Sequence, residues 1–317
     1  MRPASRAFLL VGAVLIVASC SDAPVTTAAD RAARPSFARE PNTASYTTID
    51  IPGSAMLLLT DINEHGVIVG RYALAGHTHG FIRDEAGVVS PIDIPGSSFT
   101  VAASVNDSGA IAGWYVLPAA PAVRHGFVLR DGVVTTIDPP GSVFTNILGI
   151  NERGDVTGRY RGPGNGPFHG FLYSNGEFTL VNVPGADETN PAKSTASGVI
   201  GGEYDNTGGP GHLFVYRRGE FSTFDLPNGK SVSGDNGGIN ARGDMVGTYC
   251  STGNGPCSIA PTGVHGFRLR DGEMAPIDVP GSVATAVTAI NSRGDIVGVY
   301  FDAAAGAHGF LRQTAGR

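Results

Sequence analysis

Six times along this 317-residue chain the same short phrases return in the same order. The clearest copies read His-Gly-Phe, then Ile-Asp-x-Pro-Gly-Ser, then Ile-Asn-x-x-Gly-Asp-Ile-Val-Gly-x-Tyr. One anchor falls at His79, His125, His169, His212, His265 and His308, at spacings of 46, 44, 43, 53 and 43 residues. That period suits a four-stranded propeller blade and is too long for most leucine-rich or ankyrin units. Architecture is therefore tightly constrained, whereas no catalytic motif stands out.

Each repeat parses into four strands. In the second copy these are 99–106, 109–115, 125–130 and 133–138, all short, rich in β-branched and aromatic residues, and bounded by Gly, Pro or Asn. Asn63, Asn106, Asn151, Asn240 and Asn291 each open a tight Asn-x-x-Gly turn. Asn bonds its own backbone two residues on, and the Gly takes the positive φ that ends the loop. The fourth copy, around Ser197–Tyr204, lacks this Asn, so its blade is expected to be the least regular.

The chain ends predict closure. Tyr46–Asp50 is the strand that comes last in every other repeat, whereas the chain stops just after His308–Arg312, the strand before it. Pairing the two removes most edge exposure and gives an all-β, six-bladed β-propeller of four-stranded blades over residues 46–317. A linear solenoid is the alternative.

Gly makes up 46 residues, about twice its usual share of about 7%. Charged residues are only 16% of the chain, with no run that marks disorder. Net charge is −6, and removing a leader that holds Arg2 and Arg6 leaves 20 basic against 28 acidic residues, or −8, a poor partner for nucleic acid.

Residues 1–19 read as a signal peptide: Arg2 and Arg6 precede the apolar stretch 8–17, and small residues precede Cys20. The segment resembles a bacterial lipoprotein lipobox, which implies acylation of Cys20 and a membrane held through lipid alone. An ordinary secretory leader is the alternative. Residues 20–45 then form a tether, reaching on the order of 30 Å as a coil. Cys250 and Cys257 flank a Gly/Pro loop, and in an oxidising compartment they favour a local disulfide over a metal site.

The repeated phrases resemble the bacterial extracellular HAF repeat, with Gly in place of the central Ala in five copies and Leu213 in the fourth. The resemblance spans residues 46–312. It implies surface or secreted placement and lends no catalytic residues.

Four features invite a functional reading. The six histidines lie on the third strand, too far from the axis to share an ion, so each is expected to make a hydrogen bond within its blade, as are Asp50, Asp93, Asp138, Asp225 and Asp278. The Arg-Gly-Asp triplets at 153–155, 242–244 and 293–295 occupy a turn whose Gly is set by the hairpin. Sialidase boxes are absent, leaving Asp61 and Asp235 as the acidic candidates of a glycan-acting hydrolase.

The better pointer is where the repeat stops repeating. Between a near-constant Gly and Tyr stand Arg71, Trp114, Arg159, Glu203, Thr248 and Val299, beside loops of unequal length. Arg71, Trp114, Arg159 and Glu203 are the candidate ligand contacts, with space-filling between blades as the alternative. The expected protein is a monomeric envelope-anchored binding module without cofactor or metal; a hydrolase and a structural surface component are the other readings.

Overall fold

The computed structural model describes residues 36–37, 44–164, 166–206, 209–226, 231–251 and 263–314, with the side chains of 36–37 and 233–236 outside the description. Its strands fall into register with the repeat. The first strands are Met56–Ile62, Phe99–Val105, Phe144–Ile150, Glu188–Ser194, Val232–Ile239 and Ala284–Ile290. The second are Ile68–Leu74, Ile111–Val116, Val156–Arg161, Ile200–Asp205, Met245–Cys250 and Ile296–Phe301. The third are His77–Arg83, His125–Arg130, His169–Ser174, His212–Arg217, Val264–Arg270 and Ala307–Thr314. The outer strands are Val89–Ile92, Val133–Thr136, Glu177–Leu180, Glu220–Phe224 and Glu273–Ile277, with Ala44–Ile49 serving the last repeat.

These strands build a β-propeller of four-stranded antiparallel meanders. The expectation of six separate sheets is corrected. Four sheets each carry one meander, and one of these gains a fifth strand; repeats 1 and 2 share a single eight-stranded sheet. The fusion rests on one parallel bridge, Thr78 to Phe99. The fifth strand is Ser36–Phe37, which pairs with Glu273 and Met274 although it lies in the stretch read as tether. The N-terminal strand closes the last repeat as expected, Ala44–Ile49 running antiparallel to Gly309–Thr314.

Three elements recur. The Phe of His-Gly-Phe is the centre of each sheet's packing: Phe81, Phe127, Phe171, Phe214, Phe267 and Phe310 are all buried. The Gly of the second strand makes room for it. A Cβ on Gly113 would lie 1.9 Å from the Val101 carbonyl oxygen and 3.0 Å from the Phe127 ring, so no larger residue fits. Third and outer strands join through tight turns such as Asp131-Gly132, with φ of 51° and 77°, the positive pair a type I′ hairpin requires.

The second element is a clasp. Nδ1 of each repeat histidine meets the side chain that ends the outer strand: His79 with Asp93, His125 with Asp138, His169 with Asn182, His212 with Asp225, His265 with Asp278 and His308 with Asp50. Each ring also lies against the second-strand tyrosine, as Tyr72 on His79 at 5.2 Å and Tyr300 on His308 at 5.1 Å. The histidines and their aspartates are thus structural hydrogen bonds.

The third is a one-residue bulge in the first strand. Register shifts between Leu59 and Asp61, Ala102 and Ser104, Ile147 and Gly149, Pro191 and Lys193, and Val287 and Ala289. A bulge re-aims the residues after it. Here it puts Asp61, Ser104, Gly149, Lys193 and Ala289 at equivalent positions.

The fourth repeat is not the least regular. It forms a complete four-stranded sheet, because Thr195 stands in for the missing Asn: its backbone N–H bonds the Val199 carbonyl at 2.8 Å and its hydroxyl accepts from the Val199 N–H at 3.2 Å. Irregularity falls on repeat 5, where register slips between Val232 and Gly237.

The clasp that closes the ring is pH-sensitive. The hydrogen bond to Asp50 raises the His308 pKa above its ordinary 6.5; burial opposes this, and the Asp50 and Asp302 carboxylates add to it. A raised folded-state pKa means the contribution is complete below about pH 6.5 and is lost as pH rises through the raised value. The melting-temperature gap between wild type and Asp50→Asn should therefore narrow as pH rises above about 6.5. A gap that widens over that range contradicts this assignment.

Candidate functional site

The two ends of the propeller axis differ. At one end the Asn turns converge around a cavity of about 280 Å³ lined by residues of all six repeats. Asn63 shows the local logic: its Oδ1 accepts from the N–H groups of His65 and Val67, both at 3.0 Å, and its Nδ2 donates to the carbonyl of Asn106 in the next repeat at 3.1 Å. One residue on, Glu64, Asp107 and Glu152 edge the cavity. Their carboxylates take backbone N–H groups of the preceding repeat: Ser292 on Glu64 at 2.6 Å, Glu64 on Asp107 at 2.8 Å, Asp107 on Glu152 at 2.9 Å. Partial burial raises the Glu152 pKa, the Asp107 N–H bond counters it, and the charges of Asp107 and Glu64 add to the rise.

The Arg-Gly-Asp triplets sit in these same turns as scaffold. Asp155, Asp244 and Asp295 are buried, and each is bonded by its own Asn and Arg. Burial by itself pushes the Asp244 carboxyl up, but hydrogen bonds from Arg270 and Asn240 and the charges of Arg270 and Arg242 outweigh it and bring it to about 2.

At the opposite end stand the residues singled out from the sequence. The first and second strands pair Leu58 with Arg71, Val101 with Trp114, Asn146 with Arg159 and Asn190 with Glu203, which sets all four at one level. Arg71 and Arg159 are half-buried, whereas Trp114, Glu203, Thr248 and Val299 are buried. Trp114 stacks on Phe99 at 5.1 Å, with the Arg124 guanidinium 4.2 Å over its ring. Arg124 also covers Phe144 at 4.2 Å and donates to Asn146 Oδ1 at 3.3 Å. Arg159 lies 4.4 Å over Phe168 and donates to Asn190 Oδ1 at 3.1 Å, and Arg161 sits between Phe144 and Phe168 at 5.0 and 5.1 Å. With Arg71 5.9 Å over Phe99, four guanidinium groups from repeats 1 to 3 interleave with four aromatic rings.

The break in the repeat marks one position in each copy, and Arg124, Arg161 and the phenylalanines lie beside that position. Phe168 and Arg124 do end loops of unequal length, and that was the available signal. Asp61 is buried and held by Lys193, so both of its oxygens are engaged. Cys250 ends a second strand; Cys20 and Cys257 and the Asp235 side chain lie outside the described residues. Among the described residues no group of three or more His, Cys, Asp and Glu is placed to hold a metal.

These features define the chain as a β-propeller with a chemically uneven end. No protein-family profile matches it, and no curated protein does. Among solved structures it is similar to a mutant of AofleA from Arthrobotrys oligospora, at a TM-score of 0.51 and 12% identity over 88% of this chain and 90% of that one. It is also similar to a mutant of Aleuria aurantia lectin in complex with Fucalpha1-6GlcNAc, at 0.50 and 13% over 84% and 93%. The β-propeller domain of the Trilobed protease from Pyrococcus furiosus matches at 0.50 and 11% over 82% and 94%. At these identities the likeness is one of fold.

Two outcomes follow from the geometry. Asp244→Asn should cost on the order of 2 kcal/mol at neutral pH, present above the ordinary Asp pKa and lost as pH falls toward about 2. Chemical denaturation at stepped pH reads this, and a constant penalty down to about pH 2 contradicts it. Trp114→Ala should cost about 3 kcal/mol or more, since it empties a buried, stacked position; a loss under about 1 kcal/mol by circular dichroism would show the ring is not packed as described.

Proposed function

We propose that this chain is an exported, lipid-anchored binding module of the cell envelope, built as a six-bladed HAF-type propeller. Six repeats of one meander support the blade count, the single Thr78–Phe99 bridge being what joins the first two in hydrogen-bond terms. The leader, acylated Cys20 and HAF kinship rest on the sequence motifs. The Cys250–Cys257 disulfide rests on the short Gly/Pro loop between the two residues.

One observation carries the binding reading: the four arginines and four aromatic rings gathered from repeats 1 to 3 at the end where loop lengths differ. Scaffold positions recur in every repeat, and this cluster does not. Trp114 and Phe144 are buried, which leaves the half-buried Phe99 and Phe168 as the faces for a sugar ring, and guanidinium groups pair with carboxylates or sulfates. An acidic envelope glycan is the ligand class with both features. The bound glycan of the Aleuria aurantia lectin structure is a precedent for glycan binding on such a fold.

The hydrolase reading draws no support from Asp61, whose carboxylate is buried in an ion pair. The structural-component reading stays as an outcome of the test. Wild type and the Arg71→Gln/Arg159→Gln variant should be compared on an array of neutral and acidic glycans, since both side chains are half-exposed and their loss spares the core. Wild type should bind acidic glycans at least about tenfold more tightly than the variant, with melting temperatures within about 2 °C. Equal binding, or concentration-dependent self-association without any glycan bound, removes this reading.

A further inference from the structure

The chain of amides around the Asn turns is one step short of a circle. Nδ2 of Asn240 donates to the Asn291 carbonyl at 3.0 Å, Asn291 to Asn63 at 3.0 Å, Asn63 to Asn106 at 3.1 Å, Asn106 to Asn151 at 3.0 Å and Asn151 to Thr195 at 3.2 Å. The sixth step, from repeat 4 to the Asn240 carbonyl, needs an amide where the chain has Thr195. Its hydroxyl is already engaged with Ser197 Oγ at 2.9 Å and the Val199 N–H. The seam between repeats 4 and 5 also holds a small void, nearer the opposite end of the strands. A cavity of about 20 Å³ lies between repeats 4 and 5, lined by Leu213, Val232, Gly237 and Met245 among others.

The same repeat departs from the others a second time. At the post-bulge position, where Ser104, Gly149 and Ala289 stand elsewhere, repeat 4 has Lys193 and repeat 1 has Asp61. Repeats 1 and 4 are three steps apart whichever way the ring is followed. Lys193 Nζ nevertheless reaches Asp61 Oδ1 at 2.9 Å and Oδ2 at 2.8 Å, so the pair spans the axis. The Asp61 side chain is 3% exposed and the Lys193 side chain 18%. Ser104 Oγ and the Ile62 and Val105 N–H groups complete the shell of the carboxylate, at 2.5, 2.9 and 3.0 Å. The site is made for an anion, and Lys193 supplies the balancing charge.

We infer that the Lys193–Asp61 pair is a tie across the axis that holds repeat 4, and with it the seam to repeat 5, in a ring whose rim of amides is broken at that repeat. A rim bond resists separation of neighbouring repeats. A bond across the centre resists outward displacement of one inner strand, which is the motion the missing rim bond leaves free.

The test uses the full chain and five variants: Lys193→Met, Asp61→Asn, their combination, and Thr195→Asn in the wild-type and Lys193→Met backgrounds. Removing one member of a buried pair costs more than removing both. Each single charge variant should lower the melting temperature by about 5 °C or more, and the combination by less than their sum. Thr195→Asn restores the missing amide, so it should recover at least about half of the Lys193→Met loss while raising wild type by less. Hydrogen exchange of the Ile239 and Met245 amides should quicken in Lys193→Met and slow again with Thr195→Asn. Should Lys193→Met not fold, the charge-free combination becomes the background for Thr195→Asn. Additive single losses, or an equal gain from Thr195→Asn in both backgrounds, overturn the inference.

Discussion

The turn asparagine is the interaction on which the rest of the structure depends. Its oxygen satisfies two N–H groups of its own turn, and its nitrogen is bonded to the carbonyl of the next repeat. One side chain therefore shapes a local hairpin and sets the distance between neighbouring repeats. A buried amide with both ends engaged is stable, whereas one with an end left open is costly. Each repeat thus needs its neighbour, and the neighbour must present a carbonyl at the same height. Repetition follows from that demand.

The outer part of each repeat is held differently. There the Tyr-His-Asp arrangement joins second, third and outer strands within one sheet, and the buried Phe fills the space beneath. Closure reuses these parts. Asp50, which follows the strand Ala44–Ile49, meets His308 as Asp93 meets His79. The join between chain ends is chemically the same as the His-Asp join inside four other repeats, apart from Asp302, which also faces His308 at 3.5 Å.

Much of this was legible in the sequence, because strand length, turn residues and the His/Asp positions are local and recur. The second repeat's strands fall within a residue or two of expectation, and the displaced terminal strand foretold closure. Partners that do not recur were not legible. Lys193 and Asp61 meet across 132 residues, and no periodic argument pairs them. Trp114 reads from the sequence as either a ligand contact or packing between blades, and Phe99 and Arg124, which cover it from positions that vary, favour packing. Repeat 4 was expected to be irregular for want of Asn, but a threonine hydroxyl and backbone were enough to hold the turn.

The bulges carry a consequence for how such a ring can change. In a strand, side chains alternate between two faces, and a bulge absorbs one extra residue locally so that the pairing resumes beyond it. The extra residue ahead of Asp61 is Thr60, whose hydroxyl bonds the Ala102 carbonyl at 2.6 Å. Asp61 beside it takes the Val105 N–H at 3.0 Å, so both residues of the bulge reach the first strand of the second repeat, while Leu57, Leu59 and Ile62 keep one face in the core of their own sheet. The centre of this ring can therefore be rewritten letter by letter, as Asp, Ser, Gly, Lys and Ala have been, while the apolar face of each sheet goes unchanged.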